Sequence, residues 1–306
     1  MKILITGSNG MLGSDLVAEL APSYEVCGLG RQADRHPEIS YIQTDITNRA
    51  EVLNAVRSLK PAIIVHAAAW TDVDGCERNP QQAFLVNAKG TEFVAEASDH
   101  VGATLFFISS DYVFDGTKPS GYDEEDLPNP ISVYGRSKFE AEEFLKKSCR
   151  SAWIIRSSWL FGVNGKNFFC TILHAALEKQ ELGVVDDQRG APTYSKHLAK
   201  GLRALIEKGT RVKGSAIYHL ANEGETTWFQ AAKKLLAKTN LKTELEAISS
   251  QELARPAKRP PNSVLNMTKI KKEYGIRLPS WEQGLDEFWN ESLEKEWQSL
   301  IVSRKN

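Results

Sequence analysis

Tyr134 and Lys138 stand four residues apart in Tyr134-Gly135-Arg136-Ser137-Lys138, a spacing that puts both side chains on one face of a helix. A phenol ordinarily titrates near ~10, too high for easy proton exchange at neutral pH. A nearby ammonium favours the phenolate, and an oxidised nicotinamide would add positive charge. The lysine can also hold a nicotinamide ribose. In such a pair the tyrosine gives a proton while a bound dinucleotide gives a hydride. Ser110, in Ser109-Ser110-Asp111, follows the apolar run Thr104 to Ile108, where its hydroxyl can donate to a substrate carbonyl and orient it. A tyrosine and lysine at this spacing are common on exposed helix faces. The meaning comes from finding three such groups in order after strand signals.

A second constellation opens the chain. Thr6-Gly7-Ser8-Asn9-Gly10-Met11-Leu12-Gly13 joins an apolar run to a helical stretch. Gly7 permits a sharp turn, Gly10 lets a pyrophosphate approach the backbone, and Gly13 lets the helix pack closely. The helix start offers free N–H groups and a positive dipole end. The spacing is GxxGxxG rather than the commoner GxGxxG. Arg31 follows the second strand signal, where an adenosine ribose would lie. An arginine there can pair with a 2′-phosphate, which predicts NADPH with NADH left open. Asp45 suits either an adenine amino group or a turn in Asp45-Ile46-Thr47-Asn48.

These groups need a frame that brings strand ends together. Apolar runs at Ile3 to Thr6, Tyr24 to Leu29, Tyr41 to Gln43, Ala62 to Val65, Thr104 to Ile108 and Ala152 to Ile155 alternate with helical patterns at Met11 to Leu20, Glu51 to Leu59, Gln81 to His100 and Ser132 to Lys147. That order predicts an α/β protein with a Rossmann-like, doubly wound parallel sheet. The second half is less regular, with helices at Asn167 to Glu178, Ser195 to Glu207, Trp228 to Lys238 and Trp281 to Trp297. Its strands lie at Leu182 to Val185 and Ile217 to Leu220, and a proline-bearing loop runs through Pro256, Pro260 and Pro261. A smaller, mixed α/β C-terminal substrate lobe is expected, with residues 1–163 and 192–222 in the dinucleotide-binding domain and 164–191 and 223–306 in the lobe. Ligands bind at the strand ends of such sheets.

Composition narrows the function. The 306 residues carry a formal net charge of −1, which argues against a nucleic-acid or polybasic membrane partner. The segment Arg255 to Arg259 is the one candidate basic patch. Cys27, Cys76, Cys149 and Cys170 have no zinc or redox spacing, as fits a cytoplasmic protein. No apolar segment has the length of a signal peptide or a membrane span.

Taken together these residues make the chain resemble the extended short-chain dehydrogenase/reductases and, within them, the dTDP-4-dehydrorhamnose reductases. The resemblance rests on Gly7 to Gly13, on His66-Ala67-Ala68-Ala69-Trp70-Thr71-Asp72-Val73-Asp74 and on Ile108-Ser109-Ser110-Asp111-Tyr112-Val113-Phe114-Asp115-Gly116. It continues through Tyr134 to Lys138, Arg156-Ser157-Ser158-Trp159, Asp187-Gln188-Arg189-Gly190-Ala191-Pro192-Thr193 and Arg259-Pro260-Pro261. It implies Tyr134 as proton donor, Lys138 as its partner and ribose ligand, and Ser110 as the polarising hydroxyl, a position commonly threonine in these reductases. It further implies that Gly10, Met11, Leu12, Ala67, Ala68, Ala69 and Asn87 line the cofactor, to which the reading of the glycine turn and the strand ends adds Gly7, Asn9, Arg31, Asp45 and Ile46. Val73, Asp111, Tyr112 and Trp159 would touch the sugar, with Asn167 and Arg259 near the nucleotide diphosphate. The implied substrate is a nucleotide-sugar. A homodimer is left open, as is Mg2+, since some members have a magnesium-linked dimer and no acidic ligands can be assigned here.

Related enzymes differ at informative positions. The 4,6-dehydratases resemble the chain but carry an Asp-Glu pair after the strand-end hydroxyl, where Tyr112 follows Asp111 here. The epimerase-reductases acting on GDP-sugars place a cysteine near the position of Ser110, and none is near it here. A non-catalytic alternative is the regulatory subunit of methionine adenosyltransferase, which is similar to these reductases and holds the dinucleotide as a scaffold. Intact Ser110, Tyr134 and Lys138 favour ketone reduction.

Overall fold

The computed structural model describes residues 1–209, 212–295 and 297–298. Residue 296 of the expected helix 281–297 and residues 299–306 of the expected lobe lie outside the described residues.

Six strands of the first half are β1 (Lys2–Thr6), β2 (Glu25–Gly30), β3 (Ser40–Gln43), β4 (Ile63–His66), β5 (Thr104–Ser110) and β6 (Ser151–Ser157). The longer of the later strands are β7 (Glu181–Val185), β8 (Gly214–His219) and β9 (Glu244–Ile248). One seven-stranded sheet runs β8-β6-β5-β4-β1-β2-β3, and every neighbouring pair is parallel. Strand order reverses at β1 and β4, which opens a crevice beyond their carboxyl ends.

Both faces of this sheet are covered, so its strands are apolar throughout. Ile3 and Ile5 join one core with Phe106 and Ile155, under helices α1 (Met11–Leu20) and, further along the chain, Ser195–Glu207. Leu4, between them, points the other way, as strand geometry requires. It packs with Ile64, Phe107 and Ile154 under α2 (Arg49–Leu59), α3 (Gly90–Val101) and α4 (Val133–Ser148). A third core holds the second lobe. There Phe169 and Leu173 of α5 (Phe168–Glu178) meet Ala231 and Leu235 of Trp228–Leu236, together with Trp281, Leu285 and Phe288.

Three expectations change. The stretch Gln81 to His100 is not one α-helix but Pro80–Phe84, a π-helical turn at Leu85–Lys89, and α3. The wide turn carries Asn87 inward, where it is 1% exposed. Strand β9, parallel to β7, falls in a segment read as loop. Its Glu244 and Glu246 hide the strand signal because this small sheet buries only part of each strand. Finally, Leu265, Met267, Ile270, Ile276 and Leu278, expected in the second lobe, pack instead in the first core beside Tyr218.

Candidate active site

The glycine turn is shaped by contacts that no larger residue could make. Gly7 adopts φ +71°, and a Cβ there would sit 2.8 Å from Ala68 Cα. A Cβ on Gly13 would lie 2.0 Å from the Gly7 carbonyl oxygen, so α1 presses against the turn itself. Helix α1 starts at Gly10, which has no side chain to cap it. Its first N–H groups are therefore available to an anion.

Two clefts meet at this turn. One, of 350 Å³, is lined by Asn9, Arg31, Asp45, Ile46 and Ala68. The other, of 390 Å³, is lined by Met11, Leu12, Ser110, Asp111, Tyr112, Tyr134, Lys138 and Trp159. Gly7, Gly10, Ala67 and Ala69 belong to both. A trough with a backbone cradle at its middle and no Cβ at the cradle fits a dinucleotide. Arg31 is exposed and stands 4.0 Å from Asp45. Asp45 itself accepts from the Thr47 N–H and hydroxyl at 2.9 and 2.8 Å, which is the turn role.

The reactive groups converge in the second cleft. Ser110 is the last residue of β5; its hydroxyl donates to Asp111 Oδ1 at 2.9 Å and accepts from the Tyr112 N–H at 3.1 Å. Tyr134 sits in the first turn of α4, which Ser132 caps by accepting from the Gly135 N–H at 3.1 Å. One turn on, Lys138 Nζ donates to the Ile108 carbonyl at 2.7 Å and lies 4.1 Å over the Phe107 ring. A further turn on, Glu142 accepts from Ser109 at 2.5 Å and from Arg156 at 3.0 and 2.6 Å. This pair is 2% exposed or less. It ties α4 to the ends of β5 and β6, so Tyr134 and Lys138 are held by a buried network.

Burial governs the electrostatics. It lowers the Lys138 ammonium to about 7, with Glu142 pulling the other way. It raises the Asp111 carboxyl to about 7, against the Ser263 and Ser110 hydroxyls. The Tyr134 phenol also moves up: burial dominates, Ser110 opposes it, and Asp111 adds to it. Loss of water around the phenol outweighs the hydrogen bond from Ser110.

Beyond the reactive groups, the cleft wall is aromatic. Trp159 has φ +44°, a left-handed conformation that costs roughly 1–3 kcal/mol and persists only where surroundings enforce it. Its indole stacks on Trp228 with centroids 3.6 Å apart and planes within 8°. Phe168 packs on Trp228 from another side, 4.4 Å away. A further cleft of 600 Å³ continues past Val73, Tyr112 and Trp228 to Gln188, Arg255 and Arg259. Asp74 anchors that end, accepting from Arg259 at 2.7 Å and Arg255 at 3.2 Å. Burial alone would raise its carboxyl; hydrogen bonds from Arg259 and the Ala257 N–H outweigh this and hold it at about 2.

This geometry has counterparts of known family. A family model described as the RmlD substrate binding domain matches residues 1–294. The chain belongs to that family. It is 37% identical over 292 residues to a dTDP-4-dehydrorhamnose reductase of Sinorhizobium fredii, covering 92% of this chain and 95% of that one. Identity is 38% over 296 residues with the reductase of that name from Salmonella typhimurium, covering 93% and 96%. The crystal structure of a dTDP-4-dehydrorhamnose reductase from Bacillus anthracis in complex with NADP superposes with a TM-score of 0.86, at 37% identity, over 95% of this chain and 99% of that one.

Two residues that the resemblance assigned to ligands are otherwise engaged in this RmlD-family chain. Asn87 clamps the Trp70 peptide, accepting from its N–H at 2.7 Å and donating to its carbonyl at 3.1 Å, and it donates to Ser137 at 3.0 Å. With both amide hydrogens donated and the side chain buried, it shapes the loop after β4 and lines neither cleft of the trough. Asn167 caps α5, accepting from the Cys170 N–H at 3.1 Å and donating to the Gly162 carbonyl at 2.9 Å. It is 7% exposed and holds a helix end. Conversely, Trp228, Gln188 and Arg255 line the substrate side without having been singled out as ligands. All three come from the second lobe, where no spacing in the sequence links them to Tyr134. Among the described residues no group of His, Cys, Asp and Glu is arranged to hold a metal ion.

Proposed function

We propose that the protein uses NADPH to reduce the 4-keto group of a dTDP-4-dehydro-6-deoxy-L-sugar, converting dTDP-4-dehydrorhamnose to dTDP-L-rhamnose, a precursor of cell-surface polysaccharide. The observation that carries this reading is the convergence of Ser110, Tyr134 and Lys138 in a cleft continuous with the glycine turn. Its NADP-bound relative, named for this activity, supports it.

Bound NADPH would supply the hydride. The Tyr134 hydroxyl delivers a proton to the carbonyl oxygen as that oxygen gains negative charge. Ser110 donates to the same oxygen by rotating its hydroxyl away from Asp111, and so orients the ketone. Lys138 holds the nicotinamide ribose and, when charged, favours the tyrosinate left behind. Burial keeps the phenol protonated, and positive charge beside it would ease transfer of that proton. On the same reading the enzyme works in the cytoplasm on a nucleotide-sugar.

The test is direct. Purified protein, NADPH and dTDP-4-dehydrorhamnose are mixed, and loss of reduced-nicotinamide absorbance is followed; steady oxidation is expected. Tight NADPH binding with no oxidation for any keto-sugar nucleotide would replace the enzyme with a dinucleotide-binding scaffold.

A further inference from the structure

We propose that Trp228 is a positioning residue for the sugar end of the substrate, acting through Trp159. The inference rests on the reductase reading above and adds to it a residue of the second lobe. Trp159 leaves the sheet two residues after β6 in a backbone conformation that a bulky side chain seldom takes. Something must hold it there, and two neighbours do. Gly190 accepts one edge of the indole so closely that a Cβ there would stand 2.4 Å from Trp159 Cε2. Trp228 covers a face of the ring at stacking distance.

Trp228 is itself fixed. Its Nε1 donates to Gln188 Oε1 at 3.1 Å, and Gln188 donates to Ser250 at 2.7 Å. Thr227 caps the helix it begins, accepting from the Gln230 N–H at 3.2 Å. The indole is therefore pinned by an edge hydrogen bond, by Phe168 and by its own helix start. Along with Val73 and Tyr112 it lines both the cleft that holds Tyr134 and the larger cleft that ends at Arg259. A sugar reaching Tyr134 from a nucleotide in the larger cleft must pass this wall. The stacked pair thus sets how deeply the sugar enters, and with it which carbon faces the Tyr134 hydroxyl. Because Trp159 comes from the dinucleotide domain and Trp228 from the second lobe, the setting depends on the two being held together.

The experiment compares Trp228→Ala and Trp228→Phe with the unaltered protein. Trp228→Ala should raise the KM for dTDP-4-dehydrorhamnose about tenfold, the scale of a lost aromatic pair, and leave the Kd for NADPH unchanged. Trp228→Phe keeps a ring against Trp159 and should restore KM to within about threefold. Calorimetric titration with dTDP-L-rhamnose gives the same ratios without turnover, so the result is read even if the reduction itself fails to occur. An unchanged substrate affinity in Trp228→Ala overturns the proposal. So does equal weakening of NADPH and sugar nucleotide, or a Trp228→Phe variant as impaired as Trp228→Ala, since each would mark a merely structural residue.

Discussion

The two ends of the trough are built by different means. The dinucleotide end is made mostly of backbone: one continuous turn, Gly7 to Gly13, with an uncapped helix behind it. The substrate end is made of side chains from segments as far apart as Val73, Trp159, Trp228 and Arg259. A site formed by consecutive residues tolerates little change at any one of them, whereas a site assembled from distant side chains can be altered one contact at a time. Substitutions should separate the two ends by what they damage.

The largest effect is expected where the ends meet. Tyr134→Phe should lower kcat by roughly 10²–10⁴, the range for a lost general acid, while the Kd for NADPH holds steady. A rate within a few-fold of normal would remove the tyrosine from the chemistry. Next comes Gly13→Ala. Its Cβ would collide with the Gly7 carbonyl, so helix and turn must part. Stability should fall by about 1–3 kcal/mol in urea unfolding, with NADPH binding weakened in the same protein. Full NADPH affinity would mean that the backbone cradle is more yielding than this comparison holds. Arg259→Ala tests the other end. It should raise the KM for the sugar nucleotide about tenfold, as for a lost charged hydrogen bond, without changing NADPH affinity. Arg31→Ala should produce the smallest change: exposed and free to move, it should weaken NADPH by about threefold to tenfold and spare NADH. Equal loss for both cofactors would dissociate Arg31 from the 2′-phosphate.

The same contrast explains what was legible in the sequence. The glycine turn could be read because its function follows from spacing alone, and Tyr134 and Lys138 because four residues make one helical turn. Buried strands β1, β4, β5 and β6 announce themselves as apolar runs. Strand β9 does not, because half of Glu244–Ile248 faces water. The stretch Gln81 to His100 reads as one helix because the π-helical turn at Leu85–Lys89 leaves no mark in hydrophobic periodicity. Asn167 was assigned by likeness of segment, yet an asparagine before an apolar helix is also a good cap. The stacking of Trp228 on Trp159 joins residues 69 positions apart. Only the closure of the second lobe onto the sheet creates it.

The missing cap on α1 has a consequence for the life of the protein. A helix that ends in bare N–H groups is incomplete until an anion arrives, so the dinucleotide finishes the fold as well as serving the reaction. Stability should then rise with the logarithm of cofactor concentration, by about 2.7 kcal/mol at a hundredfold excess over Kd. In a cell depleted of the dinucleotide, oxidised or reduced, the chain would be easier to unfold and degrade, which would couple its abundance to the size of the cofactor pool.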